Sequence, residues 1–204
     1  MGDAVVMISG TGRSGTSFIA STFRAAGVDP GGTFNGRWRA GMEYGPLVQM
    51  NKTLRKHFVY PECADAERLV HQFGDKMRVS IRGRKVVKDP RFSFTLGAWI
   101  HADLVDHVII GLRKPSEVAA SIKHAEMTYE PEDPWARIGY LTWACDHHGI
   151  ERVVIRFPDV VRKKDEDYWK LVKEITRFGV SQVKAKAAID EIRRSEWVTQ
   201  TPPG

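Results

Sequence analysis

The sequence is poor in cysteine, in long apolar runs and in internal repetition. Its two cysteines, Cys63 and Cys145, stand in unlike segments with no C-x-x-C or histidine-rich spacing. Neither a disulfide framework nor a zinc site is therefore expected, and both read as buried apolar filler. No run approaches the roughly 20 consecutive apolar residues of a membrane-spanning helix. The opening, Met1 to Ala4, carries an aspartate and no basic segment, so neither a signal peptide nor an anchor is expected and the compartment expected is the cytoplasm. The absence of a repeat or a low-complexity tract argues against solenoid and disordered classes. Acidic residues number 25 against 31 basic ones, for a formal charge of +6. That excess suits anionic ligands, but the cations are scattered instead of gathered into one aromatic-interleaved patch, so nucleic acid is not an expected partner.

What remains is a chain of 204 residues, 42% hydrophobic, long enough for one α/β domain with a full core and too short for two. A single domain over 1–204 is expected, with 198–204 a frayed tail. Residues 5–9 form a short β-branched apolar run ending in a glycine-rich turn, and 16–26 then read as a helix. Further short strands are expected at 85–88, 107–112 and 152–157. Helices are expected after the first two of these and at 46–58, 64–73, 134–148, 168–178 and 183–194. In the 134–148 helix, Trp135, Ile138, Leu141, Thr142 and Cys145 fall on one stripe. Strands alternating with helices predict an α/β fold, a P-loop-type parallel sheet flanked by helices on both faces. Residues 28–45 carry no period, and a long irregular segment inside a domain is commonly functional.

The turn after the first strand reads Gly10-Thr11-Gly12-Arg13-Ser14-Gly15-Thr16-Ser17, which keeps the glycines and the final hydroxyl of G-x-x-x-x-G-K-[ST] but places Thr16 where the lysine belongs. It still suits an anion: Gly12 and Gly15 let backbone N–H groups converge, the helix start adds positive charge, and Ser14, Thr16 and Ser17 offer hydroxyls. Arg13 supplies the cation. Losing the lysine argues against an ordinary ATPase or kinase. No apolar strand ends in a clean metal-binding Asp, since Lys85-Val-Val-Lys88-Asp89 is interrupted by lysine; no metal is expected.

Arg13-Ser14-Gly15-Thr16-Ser17-Phe18 resembles the 5′-phosphosulfate loop of the sulfotransferases that use 3′-phosphoadenosine 5′-phosphosulfate (PAPS). A second element, Arg113-Lys-Pro-Ser-Glu-Val-Ala-Ala-Ser121, resembles that family's 3′-phosphate motif. Its arginine ends a strand, and its serine lies about two helical turns on, so both can reach one phosphate. A third likeness covers Val153-Val-Ile-Arg-Phe-Pro-Asp-Val160 and Phe178-Gly179-Val180, which concerns the scaffold. The likeness runs from about residue 5 to residue 180.

The resemblance implies PAPS as sulfuryl donor and a small-molecule, glycan or other acceptor bearing a hydroxyl or amine. Arg13 and the loop would hold the departing 5′-phosphate, and Lys88, in Val-Val-Lys88-Asp89-Pro90, would neutralise the sulfuryl oxygens. Cytosolic members carry a histidine two residues after this lysine, where this chain has Pro90, so a histidine base does not carry over. Other branches use a glutamate after the first helix, for which Glu43 is the counterpart here; Asp89 is the competing base, and it also reads as a turn residue paired with Arg91. His124 adjoins the 3′-phosphate helix as a minor ligand candidate, and Arg193-Arg194-Ser195-Glu196-Trp197 resembles the family's basic closing loop as much as an ordinary charged helix end. Acceptor choice would lie in 31–58 and 127–134, where Arg37, Trp38, Arg39 and Tyr44 form a cationic, aromatic lip. A P-loop nucleotide kinase or hydrolase with Arg13 in place of the lysine, and a non-catalytic nucleotide-binding module, stay open beside this reading.

Overall fold

Each short apolar run becomes a strand of one sheet in the computed structural model, which describes residues 4–32, 43–57, 66–124, 134–162 and 166–194. Among them lie β1 (Val5–Gly10), α1 (Thr16–Ala25), α2 (Gly45–Arg55), α3 (Ala66–Ile81), β2 (Val86–Lys88), α4 (Phe92–His101) and β3 (Val105–Leu112). Then follow α5 (Pro115–His124), α6 (Pro134–His147), β4 (Glu151–Arg156), α7 (Asp159–Arg162), α8 (Glu166–Thr176) and α9 (Gln182–Arg194). The strands stand in the order β2-β1-β3-β4, every pair parallel. Parallel neighbours need crossovers, and helices provide them. All six residues of β1 are buried, as a strand covered on both faces requires.

Alternation along β1 divides the core in two. Val5 and Met7 pack with Leu47, Leu54, Leu69, Met77, Leu96, Trp99 and Leu141, from α2, α3, α4 and α6. Val6 and Ile8 pack with Phe18, Phe23, Leu171, Ile175 and Ile189, from α1, α8 and α9. Each fully buried side chain of this size contributes about 1.5–3 kcal/mol, so the two layers hold every strand's C-terminal end at a fixed height. The α/β class with helices on both faces is thus as the sequence indicates.

Two expectations change. The helix begun near 64 runs on to Ile81, because Phe73, Met77 and Ile81 continue its buried stripe. In α6, Leu141 and Cys145 are buried and Ile138 packs against the core as expected, but Trp135 is 56% exposed and Arg137, Tyr140 and Ala144 also face inward. An arginine at a core position defeats apolar counting, since Arg137 is held by hydrogen bonds that the pattern does not reveal. Burial pushes the Cys145 thiol up to about 12, so it remains a protonated apolar filler. No helix among the described residues is long and apolar enough to cross a membrane. Cys63, Arg37, Trp38, Arg39, residues 127–133 and residues 195–204, which include the expected tail 198–204, lie outside the described residues, as does the His124 side chain.

Candidate functional site

β1 ends at Gly10 (φ +154°), where an added Cβ would stand 2.4 Å from the Gly111 carbonyl oxygen and 2.5 Å from Ser14 Oγ. Gly111 pairs with Gly10 across the sheet, and its own added Cβ would meet the Thr16 methyl at 3.1 Å. Bare backbone on both strands lets the loop fold back over the sheet edge. The Ser14 hydroxyl donates to Thr11 O at 2.7 Å, fastening the loop from inside. Arg13 adopts φ +67°, and Gly15, at φ +91°, precedes α1 without a side-chain cap. The first amides of α1 are thereby left for a ligand.

The second motif reaches the same place from the neighbouring strand. Arg13 Nε donates to Ser121 Oγ at 3.0 Å, and Arg113 donates to Arg13 O at 3.4 Å. Arg113 also pairs with Glu117 at 3.3 Å and lies 5.2 Å from the Phe157 ring centre. Arg13, Gly15, Thr16, Ser17, Arg113, Ser121 and Phe157 line one cleft enclosing about 340 Å³, part of it open to solvent. Two cations, three hydroxyls, an uncapped helix start and one aromatic ring are groups able to pair with phosphate oxygens and to pack against a planar ring. Gly12 is half-buried in the same loop but is not among these lining residues.

Lys88 and Asp89 are consecutive on one strand end and point to opposite faces. Lys88, 3% exposed, donates to Ser17 Oγ at 3.3 Å and forms a close ion pair with Glu43. Burial raises the Glu43 carboxyl, but the charge and hydrogen bond of Lys88, aided by Arg91, outweigh it and hold the pKa below the ordinary glutamate value. Asp89 turns instead toward α2 and α4. It accepts hydrogen bonds from Asn51 Nδ2 at 2.9 Å, the Arg91 amide at 2.9 Å and the Arg91 guanidinium at 3.0 Å. Burial pushes its carboxyl up, against the pull of Arg91 and Asn51.

Against known proteins, no family model and no curated sequence matches this chain. Among solved structures, the sulfotransferase domain of the Synechococcus PCC 7002 olefin synthase is similar at 15% identity and a TM-score of 0.48, over 97% of this chain and 82% of that one.

Four contributors escaped sequence reasoning. Phe157, placed with the scaffold, walls the cleft: an added Cβ at Gly15 would stand 2.6 Å from it. Its position just beyond β4, beside the ends of β1 and β3, was the available signal. Gly111 stood inside an apolar run and drew no notice. Asn51 and Arg137 are buried polar residues on helices. Arg137 donates to Ser93 Oγ at 2.8 and 2.6 Å and to Pro90 O at 3.2 Å, clamping the turn that follows Lys88. Of the aromatic lip only Tyr44 is described, with the Arg84 guanidinium 4.7 Å from its ring centre. Arg193 donates to Val161 O and pairs with Asp190 at 3.1 Å, while Arg194 donates to Asp190 O at 3.1 Å; both close the end of α9.

Proposed function

We propose that this chain is a sulfotransferase that passes a sulfuryl group from PAPS to a hydroxyl or amine on a small-molecule or glycan acceptor. One observation carries the reading: two candidate anion-binding motifs, about a hundred residues apart in the chain, converge on one cleft, with Arg13 in contact with both Ser121 and Arg113. A nucleotide phosphorylated at both ends of its ribose calls for such a pair of motifs, whereas an ordinary nucleoside triphosphate needs only the first.

When bound, PAPS supplies a sulfuryl group already activated by its anhydride link to the 5′-phosphate. The tasks left to the chain are placement, charge neutralisation and proton acceptance. Arg13, Thr16, Ser17 and the loop amides would hold the 5′-phosphate; Arg113 and Ser121 would hold the 3′-phosphate. Lys88, beside Ser17 on the α1 side, would neutralise the sulfuryl oxygens, and no metal ion is required on this reading. Glu43 would take the acceptor proton. Since Lys88 is the cation that depresses Glu43, any share of its charge drawn toward the sulfuryl oxygens returns basicity to Glu43, which couples the two tasks. Asp89, facing the other way and filled by three donors, would anchor the turn.

The test is a melting-temperature comparison of adenosine 3′,5′-bisphosphate without metal against ATP with magnesium. A ligand at 100 times its dissociation constant stabilises the native state by about 2.7 kcal/mol. Stabilisation by the bisphosphate, followed by transfer from labelled PAPS to members of an acceptor panel, is expected. A response to ATP with magnesium alone would replace this reading with a kinase or hydrolase.

A further inference from the structure

A buried polar group that takes no part in the proposed chemistry is Asn51, on the inward face of α2 and fully enclosed. Its Oδ1 accepts from Thr95 Oγ1 at 2.8 Å and from Trp99 Nε1 at 2.8 Å, while its Nδ2 donates to Asp89 Oδ2 at 2.9 Å. These partners fix the amide's orientation, because a flipped amide would set donors against donors and oxygen against carboxylate. Thr95 and Trp99 belong to α4 and Asp89 to the end of β2, so three hydrogen bonds from two elements meet on one side chain of a third. Glu43 stands two residues before α2 begins at Gly45, and Asn51 lies roughly 9 Å along the helix from that start. A helix moves as a rod. The point at which Asn51 is gripped, together with the packing of Leu47, Met50 and Leu54, therefore bears on where α2 starts and with it where Glu43 ends.

We propose that Asn51 is the positioning residue of this site: by locking α2 to Asp89, Thr95 and Trp99 it holds the Glu43 carboxylate against Lys88. The assignment rests on Glu43 being the proton acceptor only for its effect on rate; its structural part stands on the contacts alone. It also gives Asp89 a role distinct from that of a base, since the Asp89 carboxylate is the fixed post to which Asn51 is tied.

The experiment uses the whole chain and two variants, Asn51→Ser and the milder Thr95→Val, which removes one donor with little change of shape. Carbon-13 labelling of glutamate carboxyls, with Glu43 assigned through Glu43→Gln, follows its titration; calorimetry follows binding of adenosine 3′,5′-bisphosphate. The Glu43 midpoint is expected to rise toward the ordinary glutamate value in both variants, with nucleotide affinity changed less than about twofold. Turnover should fall about tenfold to a hundredfold, the usual consequence of a misplaced reacting group. Leu171→Ala, a core truncation on the opposite face, serves as the control that lowers the melting temperature without moving the midpoint. If Asn51→Ser fails to fold, Thr95→Val decides. Variants that melt lower yet keep the wild-type Glu43 midpoint would overturn the proposal. A midpoint shift in a protein that transfers no sulfuryl group would support the positioning role while refuting the reaction assigned to the site.

Discussion

Replacing Arg113 with alanine tests the contact to which the proposed function assigns nucleotide choice. Its side chain is 10% exposed, with Glu117 Oε2 at 3.3 Å and Arg13 O at 3.4 Å. Both contacts are longer than the roughly 2.7–2.9 Å of a good charge-assisted hydrogen bond, so exchanging them for a phosphate oxygen sacrifices little. Such a bond contributes about 1.5–3 kcal/mol. At about 1.4 kcal/mol per decade, Arg113→Ala should lower the preference for adenosine 3′,5′-bisphosphate over adenosine 5′-monophosphate by roughly one to two orders of magnitude. The lost contact with Phe157, worth about 0.5–2 kcal/mol, affects both nucleotides and largely cancels in the ratio. Glu117 does not cancel, because once unpaired it repels the 3′-phosphate; the double variant Arg113→Ala/Glu117→Gln removes that contribution. Calorimetric dissociation constants for the two nucleotides provide the measurement. Equal losses for both would show that Arg113 only braces the loop, and the second phosphate motif would be misassigned.

Glu43→Gln should reduce kcat about a hundredfold or more with bisphosphate affinity intact, whereas Asp89→Asn should lower the melting temperature more than the rate per folded molecule; steady-state kinetics beside thermal melts separates the two. Gly15→Ala places a Cβ at φ +91° and 2.6 Å from Phe157. Backbone strain of about 1–3 kcal/mol should lower Tm by about 2–12 °C and weaken the bisphosphate, while Gly139→Ala, with open space around it, should do neither. The depressed Glu43 carboxyl stabilises the fold fully above the ordinary glutamate pKa, and this contribution fades as pH falls through the lower folded-state value. The Tm gap between wild type and Glu43→Gln should accordingly be wider at pH 7 than at pH 4, and a gap independent of pH would refute the ion pair's contribution.

The strands were legible because each is an apolar run closed by a turn, and burial on both faces leaves such runs little alternative. The glycine-rich loop was legible for a similar reason: its glycines answer a local backbone need that persists in any surroundings. The link from Arg13 to Ser121 was not, since a hydrogen bond between residues 108 apart exists only once β1 and β3 lie side by side. Asn51 and Arg137 were hidden because a buried polar side chain and a solvated one look alike until their partners are known. Trp135 misled in the opposite sense: a large aromatic at a stripe position invites an inward assignment, and Arg137 occupies that side of α6 instead. The alternatives for the base, Glu43 and Asp89, differ by the parity of a strand position and by the approach of a helix start, neither of which spacing along the chain reveals.

The pairing of Gly10 with Gly111 turns the sheet into a ruler. Arg13 follows one of these glycines by three residues and Arg113 follows the other by two, so the offset between the two anion sites derives from a single strand-to-strand step of about 4.8 Å. That step is among the least deformable lengths in a protein, being set by backbone hydrogen bonds and not by side-chain packing. On the proposed reading, a nucleotide would therefore be gauged by the separation of its charged ends before any base-specific contact is made. Widening the ruler, by lodging a side chain at Gly111, should disturb both ends at once, a correlated loss that substitutions at Arg13 or Arg113 alone would not reproduce.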